Sequence, residues 1–546
     1  MDPVGARERA FEALGKDIFD VLVIGGGVTG CAVARDAALR GFKVALVEKT
    51  DFAAGTSSKS TKLIHGGLRY LEHAQFKLVF EGTNERALLL RLAPHLVKPL
   101  PFLVPAYRES RPGLFKLDVG LWIYDALSKF SSPKLHRAFR APKLVALEPS
   151  LRTEELKGGI IYYDCITDDA RLTLENALDA RALGAVVLNH VRAKNLTRDA
   201  TGRVDGALVA DAEPGHPREV TVKAKVVVNA SGPWSDEVRA LLGESPILKP
   251  TKGVHLVVDA ARLPLRHAVL MLARRDRRVM FAIPWGERSV LGTTDTFYDG
   301  SLDRVVATRD DVDYILETAN HYFPQARLAH VDVLATWAGL RPLVKPQGGA
   351  VDASDVSREQ QLIDQPGFVT IAGGKLTTFR RIAAEVVDAV GAQLGKRVPS
   401  TTAERSLPGA VGIAGEEELA DIAELAREKG LSEKSARHLA DAYGVRAPEV
   451  AARVAADLTA GALLAPDLPY LMAEVDEAVE KEQALTLTDV LGRRVPLLLR
   501  GRDQGLSVAP AVADRIARTL GWSPARATEE IERYRETVED SRRFRA

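Results

Sequence analysis

Two hydrophobic periods alternate along this chain. Residues 1–17 are charged and spaced as a helix, and a short apolar run, FDVLVI, follows at 19–24. A run of that length ending in glycines predicts a strand buried on both faces. GGGVTG comes next, then CAVARDAALRG with helical spacing, ending at Gly41 as a C′ residue. KVALVEK (43–49) predicts the second strand, completing a βαβ unit. Further strands are predicted at 185–193, 224–231, 254–258, 279–285, 289–295 and 368–374, while 75–150 is more helical and more basic. From about 406 the period becomes helical throughout. Leu419, Ile422, Leu425 and Ala426 mark one helix closed by Gly430, and a second ends at Gly444. The Pro/Ser/Thr-rich stretch 396–410 is the expected linker.

Bulk properties narrow the class. At 546 residues the chain exceeds a single core, so two or three domains are expected. A net charge of +1 gives no global field toward nucleic acid, and no nucleic-acid partner is expected. Cys31 and Cys165 stand far apart, which argues against a disulfide framework or a zinc site, so no metal is expected. The N-terminus lacks an apolar signal core, and no apolar run reaches about 18 residues. The expectation is a cytosolic protein or one attached to a membrane surface.

Several motifs carry chemistry. Gly25 to Gly30 fits G-x-G-x-x-G between a strand and a helix, with Ala34 where the helix must pack closely. Such glycines let backbone approach a pyrophosphate, and the helix N-terminus supplies N–H donors. Glu48 ends the next strand, where a carboxylate accepts from ribose hydroxyls and disfavours a 2′-phosphate. The fingerprint alone does not separate FAD from NAD, although its place at the start of a widely interrupted domain suits a flavin enzyme. NASGPW (229–234) is either a tight turn or a close cofactor contact. AGGKLTT (372–378) sets a second helix N-terminus and Lys375 on an anion, with Thr377 or Thr378 as cap. Arg341, between Gly339 and Pro342, is either a held anion ligand or a solvated charge, and His255 is either structural or catalytic. Residues 107–143 interleave Lys and Arg with Phe115, Trp122 and Phe130, which suits an anionic bilayer or an ordinary packed helix.

The stretch TSSKSTKLIHGGLRYLE, from Thr56, is very similar to the signature of the FAD-dependent glycerol-3-phosphate dehydrogenase family. NASGPW, IPW, LGTTD, GLRPL and GGKLTT follow in that family's order, and ARHLADAYG and TLTDVLGRR resemble its C-terminal domain. The resemblance covers nearly the whole chain. It implies an α/β plus α architecture: a Rossmann-like FAD-binding domain, an antiparallel-sheet substrate domain and a C-terminal all-helical cap. The expected boundaries are 18–82, 150–245 and 330–395 for the first, 83–149 and 246–329 for the second, and 406–546 for the third. The implied reaction oxidises sn-glycerol 3-phosphate to dihydroxyacetone phosphate by hydride transfer to FAD, with electrons passed to membrane quinone. Absence of a long insertion seen in the family's oxidase branch favours quinone over oxygen as acceptor. An oxygen-using oxidase and a non-catalytic dinucleotide-binding protein are the alternatives.

Arg69, Tyr70, Arg341 and Lys375 match the family's substrate-site positions. His255 and His65 are the candidate bases, His255 preferred, and Arg341 is also placed to stabilise alkoxide charge. The expected cofactor set is Gly25, Gly27, Thr29, Gly30, Glu48, Thr56, Ser57, Lys62, Gly232, Lys375 and Thr377. Expected partners are glycerol phosphate, membrane quinone and the anionic inner face of the cell membrane; a homodimer is left open.

Overall fold

A computed structural model describes residues 2–68, 75–110, 113–213, 218–345 and 360–545. Its first sheet runs in the order Gln361–Gln365, Phe368–Ala372, Glu219–Asn229, Ile18–Ile24, Val44–Val47, Val186–Leu188. The four neighbouring pairs from Phe368–Ala372 to Val186–Leu188 are parallel. Val21, Val23, Val44 and Leu46 are buried against helices Val28–Leu39, Asp169–Ala182 and Phe379–Gln393, while Leu22, Ala45 and Val47 belong to a separate cluster. Burial on both faces is why these strands read as continuous apolar runs. The fingerprint therefore sits at the carboxyl ends of a parallel sheet, where doubly wound folds bind ligands.

The second sheet is antiparallel except for one parallel pair, Ala268–Leu272 with Val97–Tyr107. Its strand Thr251–Asp259, buried along its length, lies between Arg288–Gly292 and Val333–Arg341. That register sets Gly253 opposite Gly339 and His255 opposite Trp337. From Glu416 onward the described chain is helical, with Tyr443 and Tyr534 among the fully buried side chains. Among the described residues no helix is long and apolar enough to cross a membrane.

The structure departs from the sequence reading in four places. The stretch 75–150, read as helical, contains the eleven-residue strand Val97–Tyr107. Pro99, Pro101 and Pro105 obscure it, yet they are in phase, so the missing N–H groups fall along one edge. Residues 185–193 form two strands, broken at Asn189 and His190, where His190 has φ +51°. Leu63–Ile64, Leu156–Thr167 and Val333–Arg341 pair in the second sheet although they lie in segments assigned to the first domain. The 396–410 stretch is pinned rather than loose. Arg40 donates to the Val398 carbonyl at 2.8 Å, Ser400 donates to Asp36 at 2.5 Å, and Leu407 N–H donates to the Leu92 carbonyl at 2.9 Å.

Candidate active site

A cavity of about 1180 Å³ opens between the two sheets and the C-terminal helices. It exceeds the usual range for one small ligand and is large enough for a dinucleotide with a small substrate beside it. Gly25, Gly27, Thr29, Glu48, Thr56, Ser57, His65, Gly232, His255, Arg341, Lys375 and Thr377 all line it. Residues scattered from 25 to 377 thus share one wall.

At Gly25 and Gly30 of the fingerprint the neighbouring backbone leaves no room for a side chain. Gly25 has φ +114°, and a Cβ there would lie 2.6 Å from the Ala230 carbonyl oxygen. A Cβ on Gly30 would lie 1.9 Å from the Gly25 carbonyl oxygen, so Gly30 supports the turn from behind and is not on the cavity wall. Gly26 N–H donates to Glu48 Oε2 at 2.6 Å, and Thr50 N–H to Glu48 Oε1 at 2.9 Å. The carboxylate expected at a ribose therefore also fastens the glycine turn. Ser57 Oγ accepts from Val28 N–H, the first amide of the helix, at 2.9 Å. Asn229 accepts from the Ser231 hydroxyl at 2.6 Å and donates to the Ser235 carbonyl at 3.0 Å, locking the turn that puts Gly232 (φ +59°) on the wall. This glycine cradle, with helix amides behind it and a carboxylate beyond, fits a dinucleotide cofactor.

The other end is cationic. Arg341 donates to Asp295 Oδ1 at 2.9 Å and to the Thr294 carbonyl at 3.2 Å. A Cβ on Gly253 would lie 2.5 Å from Arg341 Nη2, so the guanidinium lies against bare backbone. Lys375 is half-buried on the same wall. His255 is 2% exposed and stacks on Trp337, with ring centres 4.8 Å apart at 13°. Its Nε2 lies 2.9 Å from Thr61 Oγ1, and its Nδ1 is buried without a hydrogen-bond partner. Burial first, then the charges of Arg341 and Lys62, push this imidazole well below the ordinary histidine range. His65 meets the helix start through its backbone: its N–H donates to Thr377 Oγ1 at 3.1 Å, and that hydroxyl donates back to its carbonyl at 3.2 Å.

Two sequence expectations change here, and a third falls outside the described residues. Lys62, expected on a cofactor phosphate, is buried off the cavity wall, with Nζ 2.6 Å from Asp169 Oδ1 and 3.3 Å from the Ser58 carbonyl. An ammonium buried that deeply needs a carboxylate, and Asp169 supplies it. Neither Thr377 nor Thr378 caps the helix Phe379–Gln393 through its side chain, because Thr377 is held by His65 and Thr378 faces the Lys375 carbonyl. Arg69 and Tyr70 lie outside the described residues.

Other wall residues were given no role in the sequence reading, although they lie in stretches that resemble the family. Lys59 lines the cavity with its ammonium pushed down to about 8 by burial and by Arg493. Its only signal was its place inside the TSSKSTK stretch. Thr486, Thr488, Asp489 and Arg493, from the C-terminal helices, also line the cavity. They are anchored to the first domain by charge. Arg494 grips Asp51 with two bonds of 2.6 and 2.9 Å, Arg493 reaches Asp51 at 2.6 Å, and His190 meets Asp489 at 2.9 Å. Asp51, His190 and Asp489 lie close enough together to hold a metal ion, but two arginines already neutralise the carboxylates.

Residues 20–389 match the FAD dependent oxidoreductase family, and residues 400–527 match the C-terminal domain of alpha-glycerophosphate oxidase. The chain is 42% identical to glycerol-3-phosphate dehydrogenase 2 of Mycobacterium tuberculosis, over 98% of this chain and 90% of that one. It is 36% identical to the aerobic glycerol-3-phosphate dehydrogenase of Staphylococcus aureus, over 98% and 96% of the two. The crystal structure of the glycerol-3-phosphate dehydrogenase from Bacillus halodurans complexed with FAD superposes with a TM-score of 0.83 at 33% identity, covering 99% of both chains. The glycine cradle, the second sheet and the C-terminal helices thus have one common explanation: the chain belongs to the FAD-dependent glycerol-3-phosphate dehydrogenase family.

Proposed function

We propose that this protein oxidises sn-glycerol 3-phosphate to dihydroxyacetone phosphate and delivers the electrons to a membrane quinone. The observation that carries the substrate reading is the convergence of Arg341, Lys375 and His255 on the cavity that also holds the glycine cradle. FAD, held by the glycine turn, Ser57 and Glu48, supplies the hydride acceptor when bound.

Arg341 and Lys375 bind the phosphate, with Arg69 and Tyr70 joining them as the family resemblance implies. A substrate this small offers little apolar surface, so charge-assisted bonds must position it. Asp295 fixes the plane of the Arg341 guanidinium. His255, neutral at neutral pH, takes the C2 hydroxyl proton as the C2 hydrogen leaves with its electron pair and the carbonyl forms. The guanidinium and ammonium also favour the partial negative charge developing on the C2 oxygen. Burial around His255 and Trp337 keeps water from competing for that proton.

The quinone reading is supported by an exposed apolar and basic face. Phe115 is 80% and Trp122 53% exposed on helix Leu114–Leu127, with Ile123, Phe130 and Leu135 also exposed. Lys116, Lys129, Arg137 and Lys143 lie in the same stretch. Aromatic side chains flanked by cations suit the interface of an anionic bilayer, where quinone dissolves. Co-sedimentation with anionic liposomes at low and high salt tests this; no association in either removes it.

The decisive test of the substrate is anaerobic addition of glycerol 3-phosphate to the yellow holoenzyme. Bleaching of the flavin band is expected, and a flavin that stays oxidised overturns the reading. Stoichiometric peroxide in air, without quinone reduction, would instead make oxygen the acceptor.

A further inference from the structure

The stretch YDGSLDR, 298–304, leaves the second sheet, reaches the parallel-sheet side of the cavity and returns. It departs from Phe297, which pairs with Thr251, and comes back where Ala307 is buried in the core of the second sheet. Its base is fixed by Tyr298 N–H, which donates to the Pro250 carbonyl at 3.0 Å. Its turn is fixed by the Tyr298 hydroxyl, which donates to the Ser301 carbonyl at 3.0 Å. Leu302 and Asp303, at the tip, line the cavity. The Asp303 side chain is nevertheless 62% exposed, so it stands where the cavity wall meets solvent.

Two contacts tie this tip to the opposite wall. Asp303 Oδ1 accepts from Lys49 Nζ at 2.5 Å and from Trp234 Nε1 at 3.0 Å, and Lys49 Nζ lies 4.2 Å from the Trp234 ring centre. Lys49 directly follows Glu48, and Trp234 ends the turn that begins at Gly232; both line the cavity. The indole rests against Gly55, where a Cβ would lie 3.0 Å from Trp234 Cζ3. A third contact holds the tip from the C-terminal helices. Arg304 Nε and Nη2 donate to Asp540 at 2.9 and 2.6 Å, and Asp540 lies on the helix Pro524–Arg542, whose Thr537 lines the cavity. The loop thus joins both sheets and the C-terminal helices at the end of the cavity marked by Glu48, the ribose end of a dinucleotide. Resting on the reading of Glu48 as the ribose ligand, we propose that residues 298–304 are a strap that retains FAD, which leaves only when Asp303 lets go of Lys49 and Trp234. An ion pair this exposed is weak, so the strap slows release without making it irreversible.

The test times FAD release from holoenzyme loaded with radiolabelled FAD and chased with excess unlabelled FAD. Asp303→Ala loses one exposed ion pair and one hydrogen bond, which together correspond to release about 10-fold faster. Asp303→Asn keeps an acceptor for Trp234 and should fall between. Lys49→Met should also speed release, but the double variant should be little faster than Asp303→Ala alone, because the two side chains form one contact. Arg304→Ala, which frees the anchor on the C-terminal helix, should speed release about threefold. Thermal midpoints in saturating FAD separate these effects from misfolding. Release from Asp303→Ala at the wild-type rate, or additive effects of Lys49→Met and Asp303→Ala, overturns the proposal. The readout needs no substrate, so it is independent of whether glycerol phosphate bleaches the flavin.

Discussion

Gly253 gives the sharpest test of how Arg341 is held. The residue lies in an interior strand, opposite Gly339, with ordinary extended backbone, so alanine is sterically allowed by the main chain. Its methyl would lie 2.5 Å from Arg341 Nη2 and 2.8 Å from both Cζ and Nη1. Ordinary contacts are about 3.5–4.0 Å, so the guanidinium must retreat by roughly 1 Å. The displaced atoms end a flexible side chain, and the strand itself gains roughly 0.5–1 kcal/mol from replacing glycine. Folding should therefore be unharmed. A 1 Å error in a group that positions a reactant costs about 100-fold, or roughly 2.7 kcal/mol of transition-state binding. Gly253→Ala should bind FAD normally and melt where the wild type does, yet lose about 100-fold in kcat/KM for glycerol phosphate. Anaerobic stopped-flow reduction across substrate concentrations reads this directly. A kcat/KM within about threefold of wild type, with FAD bound, would refute the claim that Arg341 must lie against bare backbone to work.

Other expectations follow from the same coordinates. Gly30→Ala puts a methyl 1.9 Å from a backbone oxygen that cannot move aside, so the protein should purify without flavin colour, and a yellow variant would contradict the cradle. Lys59 is an ammonium below about pH 8 and neutral above it, so FAD, carrying an anionic pyrophosphate, should bind more weakly as pH rises through that value. Lys59→Met should remove this dependence in a flavin fluorescence titration. His95 is buried with neither ring nitrogen paired and is pushed down to about 4 by burial, which Glu175 offsets in part and Arg446 and Arg171 reinforce. Its folded pKa lies below the ordinary 6.5, so the stability tied to neutral His95 is complete above pH 6.5 and lost as pH falls toward 4. At pH 5 the loss is about 2 kcal/mol. Urea midpoints of wild type and His95→Gln should thus converge or cross between pH 7 and 5, and parallel curves would refute it.

Local geometry was the legible part of the sequence. Gly25 to Gly30, Glu48 and the glycine pair before Lys375 are short-range patterns whose spacing follows from one strand meeting one helix, and they lie on the cavity wall except Gly26 and Gly30. Partnerships across long stretches of chain were not legible. Lys62 was read as a phosphate ligand because its neighbours are polar; nothing near it in sequence points to Asp169, 107 residues away. Thr61 and His255 are separated by 194 residues. Gly253 carries no signal in the sequence, because the guanidinium it accommodates comes from another strand. The strand Val97–Tyr107 was hidden by prolines that a sheet tolerates only in phase on one edge, a fact of pairing rather than composition.

The C-terminal wall of the cavity has a consequence for the order of events in the cell. Synthesis runs from the N-terminus, so the glycine turn at Gly25 leaves the ribosome more than 450 residues before Thr486, Thr488, Asp489 and Arg493 are made. Until then the cavity lacks one side, and Asp51 lacks the two arginines that neutralise it. Any ligand that needs the closed cavity stabilises only the finished chain, by an amount that grows with the logarithm of its concentration. Flavin supply thus acts as a checkpoint on completed molecules: it selects chains whose last quarter has docked, and leaves truncated products, with an intact fingerprint but an open pocket, without that protection.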